Sequence, residues 1–355
     1  MKKLLLLTDA LPQGGAERQL VNLAIGLKKR GHNVRLITFY PEANFYAADM
    51  KDACIQEECI HNGKNGFKRA IVIRSLVKKW RPDFVVCYKS GSSMAACIAR
   101  MVCKFNLVVS ERNTNQNISR KDRIKFFLYR WADHIVPNSY SQAEFIKKYF
   151  PSLYSRVKVI TNMVDTEKFK PFTKKYNNEI TQVITTARVT HQKNLFNYLK
   201  TVRILKEKGV KVHFNWYGRV DGSKEYWDEV KNKMNEMEIE DYLTFHGPTR
   251  DPVRAYNSSD IFLLPSFYEG FPNVLCEAMA CELPCIATNV CDSPLILRDQ
   301  RWWADPYNPE DMADKIQEMS SLSKEEREKI GKRNRERIVS LCSEEEFINR
   351  YLELA

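Results

Sequence analysis

Short, mostly apolar runs recur along the chain at 4–7 (LLLL), 34–39 (VRLITF), 84–88 (FVVCY), 107–110 (LVVS) and 134–139 (HIVPNS). Near-continuous apolarity over so few residues, rather than strict alternation, predicts parallel strands buried on both faces. Helical spacing separates them. The stretch 16–31 (AERQLVNLAIGLKKRG) ends on basic residues and Gly31, a helix stop signal. Strand–helix alternation of this kind predicts a doubly wound α/β domain. The rhythm breaks at 162–179 (NMVDTEKFKPFTKKYNNE), where polar residues and Pro171 predict a linker. A second series follows at 180–188, 211–218, 243–247, 260–266 and 284–289. A last helix, about 324–354, is long enough to return to the first domain. The pattern therefore predicts two Rossmann-like doubly wound α/β domains facing a cleft. The first covers 1–162, the linker 163–179 and the second domain 180–335, with a returning helix at 336–355. Ligands of open α/β sheets sit at the carboxyl ends of the strands, so the cleft is the expected site.

Length agrees with this division, since 355 residues exceed what one core organises. A hydrophobic share of 44% and a charged share of 28% fit a soluble globular chain. The start, 1–16 (MKKLLLLTDALPQGGA), superficially resembles a secretory signal. Thr8 and Asp9 interrupt it after four leucines, too soon for a signal core, and a buried first strand explains it better. No run approaches the roughly eighteen apolar residues of a membrane span. The ten cysteines lack metal-type spacing, Cys281 and Cys285 being the nearest to a pattern. Reduced thiols in a cytoplasmic core, with no metal, are expected. A net charge of +12 favours an anionic partner, which could be nucleic acid, acidic lipid or a phosphorylated ligand.

Three segments could carry chemistry. In 9–20 (DALPQGGAERQL), Gly14 and Gly15 stand between a strand end and a helix start. There the backbone can approach a phosphate, although a plain turn would look the same. The segment lacks G-x-G-x-x-G, which argues against a dehydrogenase. In 185–194 (TTARVTHQKN), Arg188 and Lys193 follow a strand and could neutralise a diphosphate, or simply be solvated. In 266–284 (SFYEGFPNVLCEAMACELP), Glu269 and Glu277 lie eight residues apart around Gly270, Phe271 and Pro272. Pro272 suits a first helical turn, so the amides of Phe271, Asn273 and Val274 would face the same crevice. Carboxylates beside a diphosphate would be repelled by it; vicinal hydroxyls are their natural partners. Each acid alone is equally explained as a helix-end charge or a buried cap.

The pattern 269–277 (EGFPNVLCE) resembles the E-x7-E motif of the family 4 retaining glycosyltransferases. The resemblance extends to 13–24, 162–171, 187–194 and 258–288, in the same order along the chain. It implies the GT-B arrangement, with a nucleotide sugar bound between two Rossmann-like domains. Glu277 would hold the nucleotide ribose, and Glu269 the donor sugar together with the amides of Gly270 and Phe271. Arg188 and Lys193 would stabilise the departing diphosphate, approached by Gly14 and Gly15 from the first domain. Gly218, Arg219 and His246 would line the base pocket. Retention of configuration and a UDP-sugar rather than a GDP-sugar are likewise implied. No D-x-D motif occurs, so Arg188 and Lys193 are expected to replace magnesium, with no cofactor. One departure stands out. Many relatives carry a histidine where this chain reads 107–115 (LVVSERNTN), and 110–113 (SERN) is similar to a subgroup acting on lipid-linked or surface saccharides. Glu111 and Arg112 would contact acceptor or donor sugar. The implied activity moves a hexosyl or N-acetylhexosaminyl group to a glycan or lipid-linked saccharide, in cell-surface polysaccharide or glycoconjugate biosynthesis.

Two basic stretches, 67–81 (FKRAIVIRSLVKKWR) and 119–131 (SRKDRIKFFLYRW), could rest on an anionic membrane surface at the inner face of the cell membrane. Their aromatics could equally be core. Competing functions are a nucleotide-sugar epimerase, a phosphorylase lacking a clear pyridoxal-phosphate lysine, and a non-catalytic anion binder. Nucleic acid is not expected, because acids sit inside the strongest motif.

Overall fold

The computed structural model describes residues 1–40, 44–61, 65–112, 116–172, 179–221 and 223–354. The chain divides into two units, Met1–Met163 with Glu344–Ala355, and Val164–Ser343.

Unit 1 runs β1 (Lys3–Thr8), α1 (Gly15–Lys29), β2 (Asn33–Thr38), α2 (Ala47–Asp52), β3 (Glu57–Cys59), α3 (Gly66–Trp80), β4 (Phe84–Tyr88), α4 (Ser90–Val102), β5 (Leu107–Glu111), α5 (Arg120–Leu128), β6 (His134–Pro137) and α6 (Tyr140–Tyr149). Its parallel sheet has the order β3-β2-β1-β4-β5-β6. The four leucines of β1 show why the strand reads as unbroken apolarity. Leu5 and Leu7 enter one core, Leu4 and Leu6 the other, and all four are fully buried. Each contributes about 2 kcal/mol by burial. The edge strand β3 (EEC) has no apolar signal and was not anticipated from sequence. Polar contacts hold it, Thr38 Oγ1 donating to Glu57 at 2.7 Å.

Unit 2 runs β7 (Thr181–Thr186), α7 (Leu195–Glu207), β8 (Val212–Tyr217), α8 (Lys224–Glu236), β9 (Leu243–Gly247), α9 (Pro252–Asn257), β10 (Ile261–Leu264), α10 (Asn273–Ala280), β11 (Cys285–Thr288), α11 (Ser293–Leu297), β12 (Trp303–Ala304), α12 (Pro309–Ser321) and α13 (Lys324–Leu341). Its parallel sheet has the order β12-β11-β10-β7-β8-β9. The connections leaving β7, toward β8, and leaving β10, toward β11, run in opposite directions along this sheet, which opens a crevice at the carboxyl ends of those two strands.

The final helix differs from expectation. It breaks at Cys342 and Ser343, and α14 (Glu344–Leu352) starts afresh. The sequence Ser343-Glu344-Glu345-Glu346 carries the S-x-x-E start pattern, which the helical periodicity of 324–354 obscures. The whole of α13 stays in unit 2. A Cβ on Gly331 would collide with the Glu282 carbonyl, and Asn334 Nδ2 donates to Leu283 O at 2.8 Å. Only α14 belongs to unit 1, packing Ile348 against Gly26 of α1. The return thus falls at 344, not 336. Apart from Met163, which belongs to unit 1, the described part of the expected linker joins unit 2. Phe169 is buried there, and the Phe172 amide donates to Asn257 at 2.6 Å. Residues 173–178 of that linker lie outside the described residues.

Candidate functional site

The site is built at the carboxyl edge of the unit 2 sheet, where the loops after β7 and β10 are laced together. Asn194 takes the left-handed conformation (φ 58°), which asparagine tolerates well. Its Nδ2 donates to Pro265 O at 2.9 Å and Pro306 O at 2.7 Å. Gln192 Nε2 donates to Tyr268 O at 2.7 Å, and the Phe267 amide to Gln192 O at 2.9 Å. This lacing brings together Lys193 and Glu269, both buried, in an ion pair. Glu269 Oε1 also accepts from Ser266 Oγ at 2.6 Å. Oε2 accepts from no described residue, and two ammonium N–H groups of Lys193 are likewise uncommitted among the described residues. A hydroxyl acceptor and a cationic donor therefore stand side by side in a low-dielectric setting, where each acts more strongly than in water.

Arg188, also after β7, is half exposed and donates to Asp221 Oδ2 at 2.6 Å. The sequence presented Arg188 and Lys193 as two free cations; each instead has a carboxylate. Lys193 needs one, because an unpaired charge at its depth would be prohibitively costly. Asp221 is positioned by an extension of the β7–β8 ladder, in which the Val189 amide donates to Arg219 O at 2.9 Å. Its hydrogen bond from Arg188 holds the carboxyl below the usual range. Arg219 approaches the same carboxylate at 3.6 Å. Gly218 is required by packing: a Cβ there would run into the Ala187 carbonyl, which Trp216 Nε1 also holds at 2.8 Å.

Glu277 lies half-buried in α10 and accepts from Tyr256 Oη at 3.3 Å; that hydroxyl also meets Thr186 Oγ1 at 2.7 Å. At the ends of β8 and β9, the Tyr217 and His246 rings stack at 4.3 Å with 9° between planes. His246 Nε2 bonds Asn215 Oδ1 at 2.8 Å, and burial lowers the ring's pKa. Phe271 and Pro272 are buried just before α10, while Gly270, Asn273 and Val274 keep partial exposure. Pro272 is the cap itself, so α10 begins at Asn273.

The remaining candidates belong to unit 1. Gly14 caps α1, and the hydroxyl of Tyr46 bonds both its amide (3.1 Å) and its carbonyl (2.7 Å). The carboxylate of Glu17 folds over Gly14, where a Cβ would have to displace it, and pairs with Lys89 at 2.6 Å. Gly15 opens the helix. Glu111 is buried in an ion pair with Lys125 at 2.8 Å. Arg112 donates to Ser110 Oγ, Asn162 Oδ1, Tyr88 Oη and Tyr351 Oη, each at 2.6 Å. Asn113, the end of the SERN stretch, lies outside the described residues.

Two family models match the chain: Glycosyltransferase Family 4 over residues 13–168 and Glycosyl transferases group 1 over residues 165–337. The chain belongs to the family 4 glycosyltransferases. Its two parallel-sheet α/β units are those of the GT-B fold. This glycosyltransferase is 25% identical over 289 residues to a Campylobacter jejuni enzyme named GalNAc-alpha-(1->4)-GalNAc-alpha-(1->3)-diNAcBac-PP-undecaprenol alpha-1,4-N-acetyl-D-galactosaminyltransferase, covering 80% of this chain and 78% of that one. It is 26% identical over 316 residues, 86% of each chain, to the amylovoran biosynthesis glycosyltransferase AmsD of Erwinia amylovora. Among solved structures, Anabaena HepE in complex with UDP and glucose aligns with TM-score 0.84 at 18% identity, over 99% of each chain.

In this glycosyltransferase, sequence singled out both glutamates and Lys193, but neither the pairing of Lys193 with Glu269 nor the hydroxyls that bond the two acids. Ser266 and Tyr256 carry no signal, since a hydroxyl near a motif is ordinary. Asp221 could have been noticed as the acid that follows the β8 strand end, in the pattern Gly218-Arg219-Val220-Asp221. Among the described residues, no cluster of three or more His, Cys, Asp or Glu side chains could hold a metal.

Proposed function

We propose that this glycosyltransferase retains anomeric configuration and moves a hexosyl or N-acetylhexosaminyl group from a UDP-sugar to a saccharide or lipid-linked saccharide, in cell-surface polysaccharide or glycoconjugate biosynthesis. The observation that carries the reading is the buried Lys193–Glu269 pair at the meeting of the β7 and β10 loops. Uncommitted Lys193 protons would meet the diphosphate, and Glu269 Oε2 would accept from a donor-sugar hydroxyl. Arg188 would add forked donors to the leaving phosphate, and Glu277 would take the ribose diol. The Tyr217–His246 stack offers a flat surface for the base. The barrier lies in separating a nucleoside diphosphate from an oxocarbenium-like sugar, so preset positive charge at the leaving group lowers it directly. Those two cations supply in this reading what magnesium would otherwise supply, and turnover is metal-independent.

The relatives support the chemical class. One acts on an undecaprenyl-diphosphate-linked saccharide, one serves amylovoran biosynthesis, and HepE binds UDP and glucose. The test is release of nucleotide from a panel of UDP- and GDP-sugars, with and without EDTA, followed by determination of the product anomer. Turnover of one UDP-sugar that survives EDTA, with retention, is expected. A GDP-sugar preference, loss of turnover with EDTA, or inversion each overturns its part of the reading.

A further inference from the structure

The outer layer of unit 1 carries a surface that sugar transfer leaves unused. The connections β3→β4, β4→β5 and β5→β6 all step the same way along the sheet, so right-handed crossovers place α3, α4 and α5 on one face. Both α3 and α5 pack on α4, and the three share one core. The outward stripe of the central helix carries Met94 and Ile98, half-buried, and Met101 and Val102, exposed, while the half-buried Arg100 is paired with Asp133. On α3, Phe67 is 73% and Ile71 67% exposed; on α5, Ile124 is 60% and Phe127 52% exposed. Side chains of this size seldom stand open together on a soluble surface without a partner.

Cations flank that stripe. Lys68, Arg74 and Lys78 are exposed on α3, and Arg120, Lys121 and Arg123 on α5. Residues 65–81 and α4 contain no acid. The one acid of α5, Asp122, is taken by the Ser119 amide at 3.0 Å and by Lys125 at 3.3 Å. The core share of the aromatic content is satisfied separately, by Phe126 and Tyr129, both buried. Among the described residues, no helix is long and apolar enough to cross a membrane.

From this pattern we infer that the outer face of α3, α4 and α5 docks on an anionic lipid bilayer. The cations lie against head-group phosphates, while Phe67, Ile71, Ile124 and Phe127 enter the acyl boundary. Charge complementarity selects this occupant, since an apolar strip bordered by cations and lacking free acid matches a negative interface with hydrocarbon beneath it. A second copy of the chain would present the same positive charge and repel it.

The experiment is flotation of the full chain with vesicles of phosphatidylcholine alone or mixed with phosphatidylglycerol. It is scored without substrate, so its outcome is separate from that of the proposed transfer reaction. Binding to the mixed vesicles alone is expected, weakening as salt rises from about 0.1 M to about 1 M and the screening length shrinks. Phe67→Ser and Phe127→Ser should each lower partitioning about tenfold. Lys78→Gln and Arg123→Gln should each lower it about fivefold. All four positions are exposed, and thermal midpoints should not move. No flotation at low salt, or flotation indifferent to either set of variants, overturns the inference. So does a wild-type dimer by light scattering that Phe67→Ser or Phe127→Ser converts to monomer.

Discussion

Lys193 and Glu269, 76 residues apart in sequence, meet as a buried ion pair beneath the loops that follow β7 and β10. Removing one partner leaves an uncompensated buried charge. Lys193→Ala and Glu269→Ala should therefore each lose about 3 kcal/mol of stability, while Lys193→Met combined with Glu269→Gln loses less than either. Both singles and the double should lose transfer activity about a hundredfold or more. Denaturant midpoints together with kcat separate the roles; a double variant that regains activity would make the pair structural only.

Arg188 and Asp221 behave differently because they are exposed. Breaking that pair should alter stability by no more than about 0.5 kcal/mol. Arg188→Ala should cost about 3 kcal/mol of transition-state stabilisation. Asp221→Asn removes a negative charge beside the proposed diphosphate position. It should tighten inhibition by the nucleoside diphosphate product about fivefold, the size of one surface charge interaction. The Asp221 carboxyl titrates below its usual 3.8, so its contribution is complete above that value and lost only as pH falls beneath it. Unchanged product inhibition in Asp221→Asn would place the diphosphate elsewhere.

Much of this was legible in the sequence, for identifiable reasons. The leucines of β1 announce a strand buried on both faces because each neighbour feeds a different core. Glu269 and Glu277 draw notice because two acids flank an apolar, glycine-bearing turn. The edge strand β3, by contrast, is held by polar contacts and has no periodicity to detect. Pairings such as Lys193 with Glu269 and Arg188 with Asp221 depend on which strands are neighbours, and Arg112 with Tyr351 on where α14 returns; neither is a local property of the sequence. The 324–354 helix misled because its apolar spacing continues through the break at Ser343.

His32, His134 and His246 all have pKa values lowered by burial. The unfolded chain then binds more protons than the fold just below pH 6.5, so stability falls as pH drops through that region and is fully present above it. A thermal midpoint that declines from pH 7 to 5, with a smaller decline in His134→Asn and His246→Asn, is the expected result. A midpoint flat across that range would show that these rings charge freely within the fold.

Gly218 and Gly331 each face a carbonyl too near for any side chain, Ala187 and Glu282 respectively. Backbone cannot yield as a flexible side-chain tip can. Gly218→Ala and Gly331→Ala should each cost about 2–3 kcal/mol. The consequences should differ. Gly218 lies beside Arg188, so its alanine variant should lose activity beyond its stability loss, whereas Gly331→Ala, on the buried seam of α13, should keep kcat while folded.

Arg112 binds four side-chain oxygens, joining β4, β5, the segment at Asn162 and α14. Its neighbour Tyr88 is fully buried, its hydroxyl pKa pushed up by that burial and its oxygen held by Tyr351 at 2.9 Å. Lysine cannot reproduce the planar fork, so Arg112→Lys should lose about 2–3 kcal/mol of stability by leaving buried hydroxyls short of partners. Tyr351→Phe removes one acceptor and should cost about 1 kcal/mol. If Arg112 only fastens α14 to the sheet, the two variants should lower the thermal midpoint in that order while KM for acceptor stays fixed. A rise in acceptor KM confined to Arg112→Lys, measured well below its unfolding temperature, would instead put the guanidinium on the acceptor saccharide.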